Sequence, residues 1–443
     1  MIRHAFHLLT VLALVCVGCG SRESKNHAAL ADGPAATATD KTIAARVIEN
    51  QSADLFRQAK DSLDAGDSLA FVRCLLRIVD RPLGDSLLFE VGGLVGLGYR
   101  MSRVTDNVVA DYAPRFFPDG KRIVYFSRLQ REQLEYPGLR SVRCQTQICA
   151  IGIDGNDPAV ISDGKASEFF PDVSSDARYV VCQRAEGDTL KGEWTAAAGS
   201  ILYVYDLQGN KGRQFGGAQQ TAEQPRLPLG RLGRRQRLGD AELYARWPRF
   251  MPHSAEVLFV TSQRGFAGLM STINIETAEI TMRYRSPRLD RSGESYFPFL
   301  PSPFFDGSHI AFQSGLAEEK AVFVCDSLGQ DMIRLTPEGL SERHPSPAPD
   351  NRTVVFVSDG RDGEELFLRH IGDTIRRQIT FDGDDKQFPA YSPDGQLIAF
   401  GAKKRGFPEA DYEIFLLDLS QPVGRKEIVT RVKELARRVG VLR

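Results

Sequence analysis

The chain has 443 residues, with 56 Lys and Arg against 57 Asp and Glu, which gives a formal net charge of −1. This balance excludes the overall basic excess that nucleic-acid binders usually show. The hydrophobic fraction of 42% and the charged fraction of 26% are typical of a folded globular protein, and they exclude a largely disordered chain and a multi-span membrane protein. The length is sufficient for one large repeat domain and a smaller one.

The N-terminus has the pattern of an export signal. Arg3 precedes a mostly apolar run over residues 5–17, which is too short for a membrane-spanning helix of about 20 residues. The run ends in Val17, Gly18 and Cys19, and small residues before a cysteine resemble the bacterial lipobox. We therefore expect residues 1–18 to be a lipoprotein signal peptide, Cys19 to carry lipid, and the polar residues 19–40 to be a flexible tether. An ordinary secretory signal cut elsewhere is the alternative.

Residues 41–97 are predicted to form a short helical cap. Leu69, Val72, Leu76 and Val79 recur at helical spacing, which indicates a helical hairpin over residues 53–80. Part of this segment faintly resembles one tetratricopeptide unit, but such units need neighbours to bury their apolar faces.

Six repeats follow, and they are the strongest pattern in the chain. Their leading prolines are 44 to 77 residues apart: Pro114, Pro171, Pro248, Pro301, Pro345 and Pro389. Most units contain a Pro-Asp-Gly-like turn, two strands rich in β-branched and aromatic residues, and a short edge strand ending in Thr or Ser. Four strands in each of six units predict an all-β fold, a six-bladed β-propeller over residues 98–430.

Two segments are candidates for the strand that closes the ring, residues 99–105 and residues 426–430. Both have the character of a short edge strand ending in Thr. The sequence does not decide between them. Residues 431–443 are expected to be a basic, helical C-terminal tail.

The repeat at Pro389, which reads PAYSPDGQLIAF, is similar to the WD-like repeat of the TolB family of periplasmic propellers. The resemblance covers roughly residues 98–430 and implies a propeller fold. The repeats at Pro171 and Pro248 lack the Pro-Asp-Gly turn. That family also has an α/β domain before its propeller, where this chain offers only the helical segment, so the resemblance implies the fold and not the Tol-system role.

No catalytic motif is present in the repeats. The chain has neither a Gly-x-Ser-x-Gly elbow nor a His-Glu-x-x-His pair, and we predict no catalytic residues, no metal and no cofactor. We expect a lipid-anchored, non-catalytic scaffold of the bacterial cell envelope that binds a protein or a glycan. The alternative is a carbohydrate-active propeller enzyme, a lyase or hydrolase, with its site in the central funnel. Repeat alignment places six candidate binding residues on the rim where the inner strands begin: Asp111, Glu168, Arg246, Arg343, His344 and Lys386.

Two further features concern cysteines and charge. Cys144 and Cys149 flank what looks like a hairpin, which makes a local disulfide plausible in an exported protein. Residues 211–249 hold nine Lys and Arg against three acids, and they are predicted to be a loop. Such a loop could contact an anionic surface, or be simply solvated. Export makes nucleic acid an improbable partner.

Overall fold

The computed structural model describes residues 38–442, apart from residues 137–138, 186–199, 210, 216–244, 264–265, 286–297, 316–319, 361–362 and 408–410. The predicted signal peptide, Cys19 and most of the tether therefore lie outside the described residues. The chain divides into two compact units, residues 1–51 and residues 52–443, and every described strand belongs to the second.

Four helices are present in the described residues: α1 (Ala38–Asp64), α2 (Ser68–Val79), α3 (Asp85–Leu94) and α4 (Arg425–Arg438). Asp67 is the N-cap of helix α2, and its carboxylate accepts a hydrogen bond from the backbone N–H of Ala70. The apolar faces of α2, α3 and α4 share one core with the end of α1, and Leu75, Ile78 and Val432 are fully buried in it. The predicted helical segment is confirmed.

Helix α4 corrects two expectations about the C-terminus. Residues 426–430 are helical, so the proposal that they form a closing strand is wrong. Helix α4 also extends across the boundary drawn before the predicted tail, because Ile428, Val432 and Ala436 repeat at helical spacing and pack on the N-terminal helices. The propeller consequently ends earlier than expected, with a last strand that finishes at Pro422.

The described residues form six four-stranded antiparallel sheets, which confirms the predicted six-bladed propeller. Blade 1 comprises β2 (Ala110–Phe116), β3 (Arg122–Tyr136), β4 (Leu139–Gly152) and β5 (Ala159–Val160); blade 2, β6 (Glu168–Val173), β7 (Tyr179–Ala185), β8 (Ser200–Asp206) and β9 (Lys211–Phe215); blade 3, β10 (Ala245–Phe250), β11 (Glu256–Gln263), β12 (Phe266–Asn274) and β13 (Ile280–Arg285). Blade 4 comprises β14 (Phe299–Pro303), β15 (His309–Ser314), β16 (Ala321–Asp326) and β17 (Ile333–Arg334); blade 5, β18 (Glu342–Pro347), β19 (Thr353–Asp359), β20 (Glu364–His370) and β21 (Arg377–Gln378); blade 6, β22 (Asp385–Tyr391), β23 (Leu397–Lys403), β24 (Glu413–Pro422) and β1 (Tyr99–Arg103).

The ring is closed by the first of the two candidate segments. Strand β1 pairs antiparallel with β24, with Met101 opposite Leu417, and becomes the outer strand of blade 6. The backbone N–H of Val104 continues the contact by donating to the carbonyl of Ile414 at 2.8 Å. Blade 6 therefore joins the two ends of the repeat region and has four strands like the other blades.

The predicted basic loop is shorter than expected. Residues 211–215 form β9, the outer strand of blade 2, and residues 245–250 form β10, the inner strand of blade 3. The prediction of one loop over 211–249 is therefore wrong at both ends, because the residues at each end form a strand of a blade. Residues 216–244 lie outside the described residues.

Each inner strand contains the same backbone irregularity. The residue before the repeat proline has a positive φ between 50° and 55° in every blade: Ala113, Phe170, Trp247, Leu300, His344 and Phe388. The pairing with the second strand shifts register at the same point. None of the six is glycine, although this conformation costs other residues about 1–2 kcal/mol. Its recurrence in all six blades marks it as a built feature of the fold.

Candidate functional site

In blades 1, 4, 5 and 6, a Thr or Ser that follows the edge strand acts as a latch to the next blade. After blade 4, the Thr336 hydroxyl donates to Oε2 of Glu342 at 2.8 Å and accepts the backbone N–H of Val322 at 2.7 Å. Glu342 starts the inner strand of blade 5, so one hydroxyl ties the edge of one blade to the next. Ser162 makes the same two contacts after blade 1, with Ile148 and Glu168. The repeated Thr or Ser in the sequence is therefore a structural device.

The carboxylates of these latches are buried and paired with arginines. Glu342 is fully buried, and its Oε1 lies 3.1 Å from Nη2 of Arg369. Glu168 is equally buried; Nε of Arg184 donates to it at 2.7 Å and the Tyr205 hydroxyl at 2.8 Å. Buried carboxylates need such partners because an unpaired charge is costly away from water. Glu168 is thus an internal residue, and its predicted exposure on the rim is wrong.

The acid and the base exchange places where blade 5 meets blade 6, and the acid has also moved where blade 6 meets blade 1. The acid now lies on the third strand of its own blade: Thr380 donates to Glu365 after blade 5, and Thr105 donates to Oε2 of Glu413 at 2.6 Å after blade 6. Lys386, which starts the inner strand of blade 6, is fully buried, and its Nζ lies 3.0 Å from Oε2 of Glu365. Lys386 is therefore another internal residue and not a rim residue.

At the equivalent position of blade 1 the chain has Asp111 instead of a lysine. Asp111 is fully buried, its Oδ2 accepts a hydrogen bond from Asn107 at 2.8 Å, and its Oδ1 has no partner. Burial raises the pKa of Asp111 and that of Glu413. The predicted rim position of Asp111 is wrong for the same physical reason as for Glu168 and Lys386: the edge of the preceding blade covers the start of each inner strand.

Arg246 and Arg343 remain near the start of the inner strands, where they were predicted. Both are half-buried, and Nη2 of Arg343 pairs with Glu364. Burial lowers the pKa of both arginines. Phe169 and Phe299 occupy the same repeat position in blades 2 and 4 and are also half-buried. These residues form a cationic and aromatic set; that it binds a ligand stays a prediction.

A layer of aromatic rings lies across the propeller axis. The His344 ring stacks on Phe388 with centroids 4.2 Å apart, and Phe388 packs edge-on against Phe170 at 5.6 Å. Phe388 belongs to blade 6 and Phe170 to blade 2, which are not neighbours, so these rings meet over the axis. The central funnel is filled at this level by residues with the repeated positive φ.

His344 belongs to this layer and is not an exposed rim residue. Its Nδ1 accepts the backbone N–H of Phe388 at 3.4 Å, and burial holds its pKa well below the ordinary value. The ring is consequently neutral at physiological pH. Its position before the repeat proline, which suggested a rim, is the position that turns each side chain inward.

A cleft of about 650 Å³ lies beside the repeat turns of blades 5 and 6. It is lined by Ala348, Pro349, Asp350, Thr353, Leu368, Arg369, His370, Asp373, Ile375, Arg377, Tyr391, Asp394, Gly395 and Leu419. His370 and Asp373 are exposed, and Ile375 is 80% exposed. The cleft therefore combines carboxylates, two guanidinium groups, an imidazole and an exposed apolar side chain.

Three of the cleft residues form a hydrogen-bonded chain. The Thr353 hydroxyl donates to Asp350 and lies 2.8 Å from Nδ1 of His370. In a catalytic triad the imidazole lies between the hydroxyl and the carboxylate, whereas here the hydroxyl is in the middle. Asp306, Ser308 and His309 have the same order in the blade 4 turn. The arrangement stabilises repeat turns.

Sequence reasoning missed this cleft. Three of its exposed residues, His370, Asp373 and Ile375, lie at the end of β20 and in the connection that follows, where they are single residues outside the repeat pattern. The available signal was Ile375, an isolated apolar residue in a polar turn. The buried partners Arg184 and Arg369 were also missed, although a charge inside an otherwise apolar strand is the usual sign of a buried ion pair.

The structure contradicts the predicted disulfide between Cys144 and Cys149. Cys149 is a free, buried thiol, and burial raises its pKa to about 11. Both residues lie on β4, where five residues of extended backbone separate the two Cα atoms by about 16 Å. A disulfide requires less than about 7 Å. The pairing of β3 with β4 has Tyr136 opposite Leu139, so the two strands already face each other earlier in the chain than Cys144.

Metal-binding clusters and membrane-spanning helices are both absent from the described residues. No group of three or more His, Cys, Asp or Glu in that part of the chain is arranged to hold a metal ion. None of the helices in the same residues is long and apolar enough to cross a membrane.

The chain is similar in fold to solved propeller structures. TolB from Acinetobacter baumannii is 14% identical with a TM-score of 0.41, and the match covers 68% of this chain and 64% of that one. The putative TolB from Agrobacterium tumefaciens is 14% identical with a TM-score of 0.44, covering 73% and 98%. A Mycobacterium tuberculosis puromycin-hydrolysing peptidase is 12% identical with a TM-score of 0.43, covering 73% and 49%. Neither sequence-family profiles nor curated proteins gave a match. At such identities the likeness concerns the fold alone.

Proposed function

We propose that this protein is a non-catalytic binding scaffold of the bacterial cell envelope, anchored by lipid on Cys19. The export signal and the lipobox-like residues before Cys19 support the location. The observation that carries the binding role is the cleft between blades 5 and 6, on a ring whose blades are tied together by buried latches. A cleft of about 650 Å³ lies within the usual size of ligand sites, roughly 300–1,000 Å³.

The lining of the cleft favours a protein segment over a glycan. Ile375 offers an exposed apolar contact beside the carboxylate of Asp373, which suits a peptide with an apolar side chain next to a basic one. Asp350 and Asp394 add carboxylates on the two repeat turns, although each already accepts hydrogen bonds from its own turn. The proposed partner is therefore an envelope protein that presents a basic, partly apolar segment.

Site-specific photocrosslinking in the native cell envelope tests the binding role. A photoreactive phenylalanine analogue at position 375 should capture a discrete partner protein, and Asp373→Lys in the same chain should abolish that product. Val108 is 94% exposed and is not among the cleft residues, so the same analogue at position 108 is the matched control. Equal products at both positions, or a product unaffected by Asp373→Lys, would contradict a binding cleft. Labelling of a glycan at position 375 would redirect the proposal to carbohydrate.

Metabolic labelling tests the lipid anchor separately. An alkyne-tagged fatty acid should label the full-length protein, and Cys19→Ser should remove the label and release the protein from membranes. Cys74→Ser is the matched control, because Cys74 is a free, partly buried thiol of the helical core. Labelling that survives in the Cys19→Ser protein would refute the anchor while leaving the cleft proposal untouched.

A further inference from the structure

The residue after the repeat proline carries a cluster of charges in the first three blades. These residues are Arg115 in blade 1, Asp172 in blade 2 and Arg249 in blade 3. Blades 1 and 3 are not neighbours, yet the charges of Arg115 and Arg249 both act on the carboxyl of Asp172, and that of Arg249 acts on Arg115. The three groups therefore lie together near the axis, two residues further along each inner strand than the positions of the aromatic layer.

The two arginines hold the inner strands of neighbouring blades. Nη1 of Arg115 donates to the carbonyl of Pro114 at 2.9 Å and to that of Pro389, in blade 6, at 3.3 Å. Nη1 of Arg249 donates in the same way to Pro248 at 2.9 Å and to Pro171, in blade 2, at 3.4 Å. One nitrogen of each guanidinium thus bridges two blades.

The cluster has more positive than negative charge. In the described part of the chain, Asp172 is the one carboxylate whose charge acts on both guanidinium groups, and its Oδ2 accepts a hydrogen bond from the backbone N–H of Phe250 at 2.7 Å. Arg249 is 3% exposed, and its Nε is buried without a hydrogen-bond partner. Burial lowers the pKa of both arginines, as expected where a positive charge is removed from water without full compensation. An unpartnered buried donor of this kind is costly unless a ligand satisfies it.

The remaining blades have small side chains at the same position, and two of them carry hydroxyl groups. Ser302 in blade 4 and Ser346 in blade 5 are each 6% exposed, and blade 6 has the small Ala390. Forked guanidinium donors match the oxygens of a tetrahedral anion, and serine hydroxyls are suitable additional donors.

We propose that the propeller binds a small inorganic oxyanion, phosphate or sulfate, near its axis, with Arg115 and Arg249 as the principal ligands. The ion would supply the missing negative charge and cross-link blade 1 to blade 3 from inside. This inference is independent of the envelope partner proposed above.

Equilibrium urea unfolding at increasing inorganic phosphate, with ionic strength balanced by sodium chloride, tests the proposal. A ligand that binds only the folded state raises the unfolding midpoint with its concentration, whatever the rate of exchange. The decisive variant is Asp172→Asn, because an amide oxygen can still accept the N–H of Phe250 while the competing negative charge is gone. It should respond to phosphate at a concentration about tenfold lower than the parent protein. Arg115→Gln should abolish the response, and Arg178→Gln, at an exposed arginine of blade 2, should leave it unchanged.

The phosphate response of the parent protein and its variants decides whether the oxyanion site exists. A phosphate response that shifts to lower concentration in Asp172→Asn and persists in Arg178→Gln supports the site. If Arg115→Gln does not fold, the Asp172→Asn comparison decides alone. No phosphate response in either the parent or Asp172→Asn, or equal sensitivity of both proteins, would overturn the proposal.

Discussion

Lys386 provides the sharpest test of the view that the repeat-start charges are structural. It is fully buried, its Nζ lies 3.0 Å from Oε2 of the 2% exposed Glu365 side chain, and it also contacts Asp382 and the carbonyl of Asp384 at 3.0 Å. Lys386→Met keeps most of the side-chain volume and removes the charge, which leaves the Glu365 carboxylate buried beside Asp382. Breaking a buried ion pair in this way costs about 3–5 kcal/mol.

The loss should appear as a lower free energy of unfolding in urea, followed by far-UV circular dichroism. Combining Lys386→Met with Glu365→Gln should recover at least about half of it, because the glutamine can still hydrogen-bond the Thr380 hydroxyl without a buried charge. The control is Lys165→Met, where the lysine side chain is 78% exposed and 3.9 Å from Asp163, a pair worth at most about 1 kcal/mol. Equal losses in Lys386→Met and Lys165→Met, or no recovery in the double variant, would refute the reasoning.

Three further predictions concern other buried positions. Asp111→Asn should melt at a higher temperature than the parent at neutral pH. Burial raises the pKa of Asp111, so the folded protein binds this proton more tightly than the unfolded chain, and the parent loses stability as the pH rises above about 4. The difference in melting temperature between Asp111→Asn and the parent should therefore disappear below that pH. A variant that melts at a lower temperature than the parent at neutral pH would contradict this. Mass spectrometry after denaturing, non-reducing alkylation should find Cys149 as a free thiol, and a disulfide-linked peptide would show the structure to be wrong there. Gly93→Ala should destabilise the protein by about 1–3 kcal/mol, because the added Cβ would lie 2.7 Å from the Phe381 ring, whereas Gly84→Ala, with no atom within 4 Å, should change little; equal effects in thermal melts would refute the packing argument.

The number and content of the blades could be predicted because they depend on local chemistry. A Pro-Asp-Gly-like turn recurs in most units, with Gly395 and its φ of 72° as one example, and turns alternate with β-branched strands in all six, so one repeat helps to identify the next. The closing strand could not be chosen in the same way. Residues 99–103 and 426–430 have similar local character, and only long-range pairing with β24 and packing of Ile428 in the helical core separate them.

The candidate site, too, was predictable where it depends on local sequence and unpredictable where it depends on long-range contacts. Repeat alignment found the positions where inner strands begin, but it could not tell which face of a strand the neighbouring blade covers. Asp111, Glu168 and Lys386 are buried because the Thr or Ser latch of the preceding blade closes over them, and His344 turns toward the axis because its backbone has a positive φ. Contacts between residues distant in sequence decide burial, and burial decides whether a charge is available to a ligand.

The sequence by itself determined the repeat, the strand content and the helical segment, since turn geometry, strand propensity and helical periodicity are properties of neighbouring residues. The tertiary structure alone decided the ring closure by β1, the union of α4 with the N-terminal helices, the filled axis and the cleft between blades 5 and 6. These features arise where segments far apart in the chain meet, and the free energy of each meeting depends on packing and charge that no single segment contains.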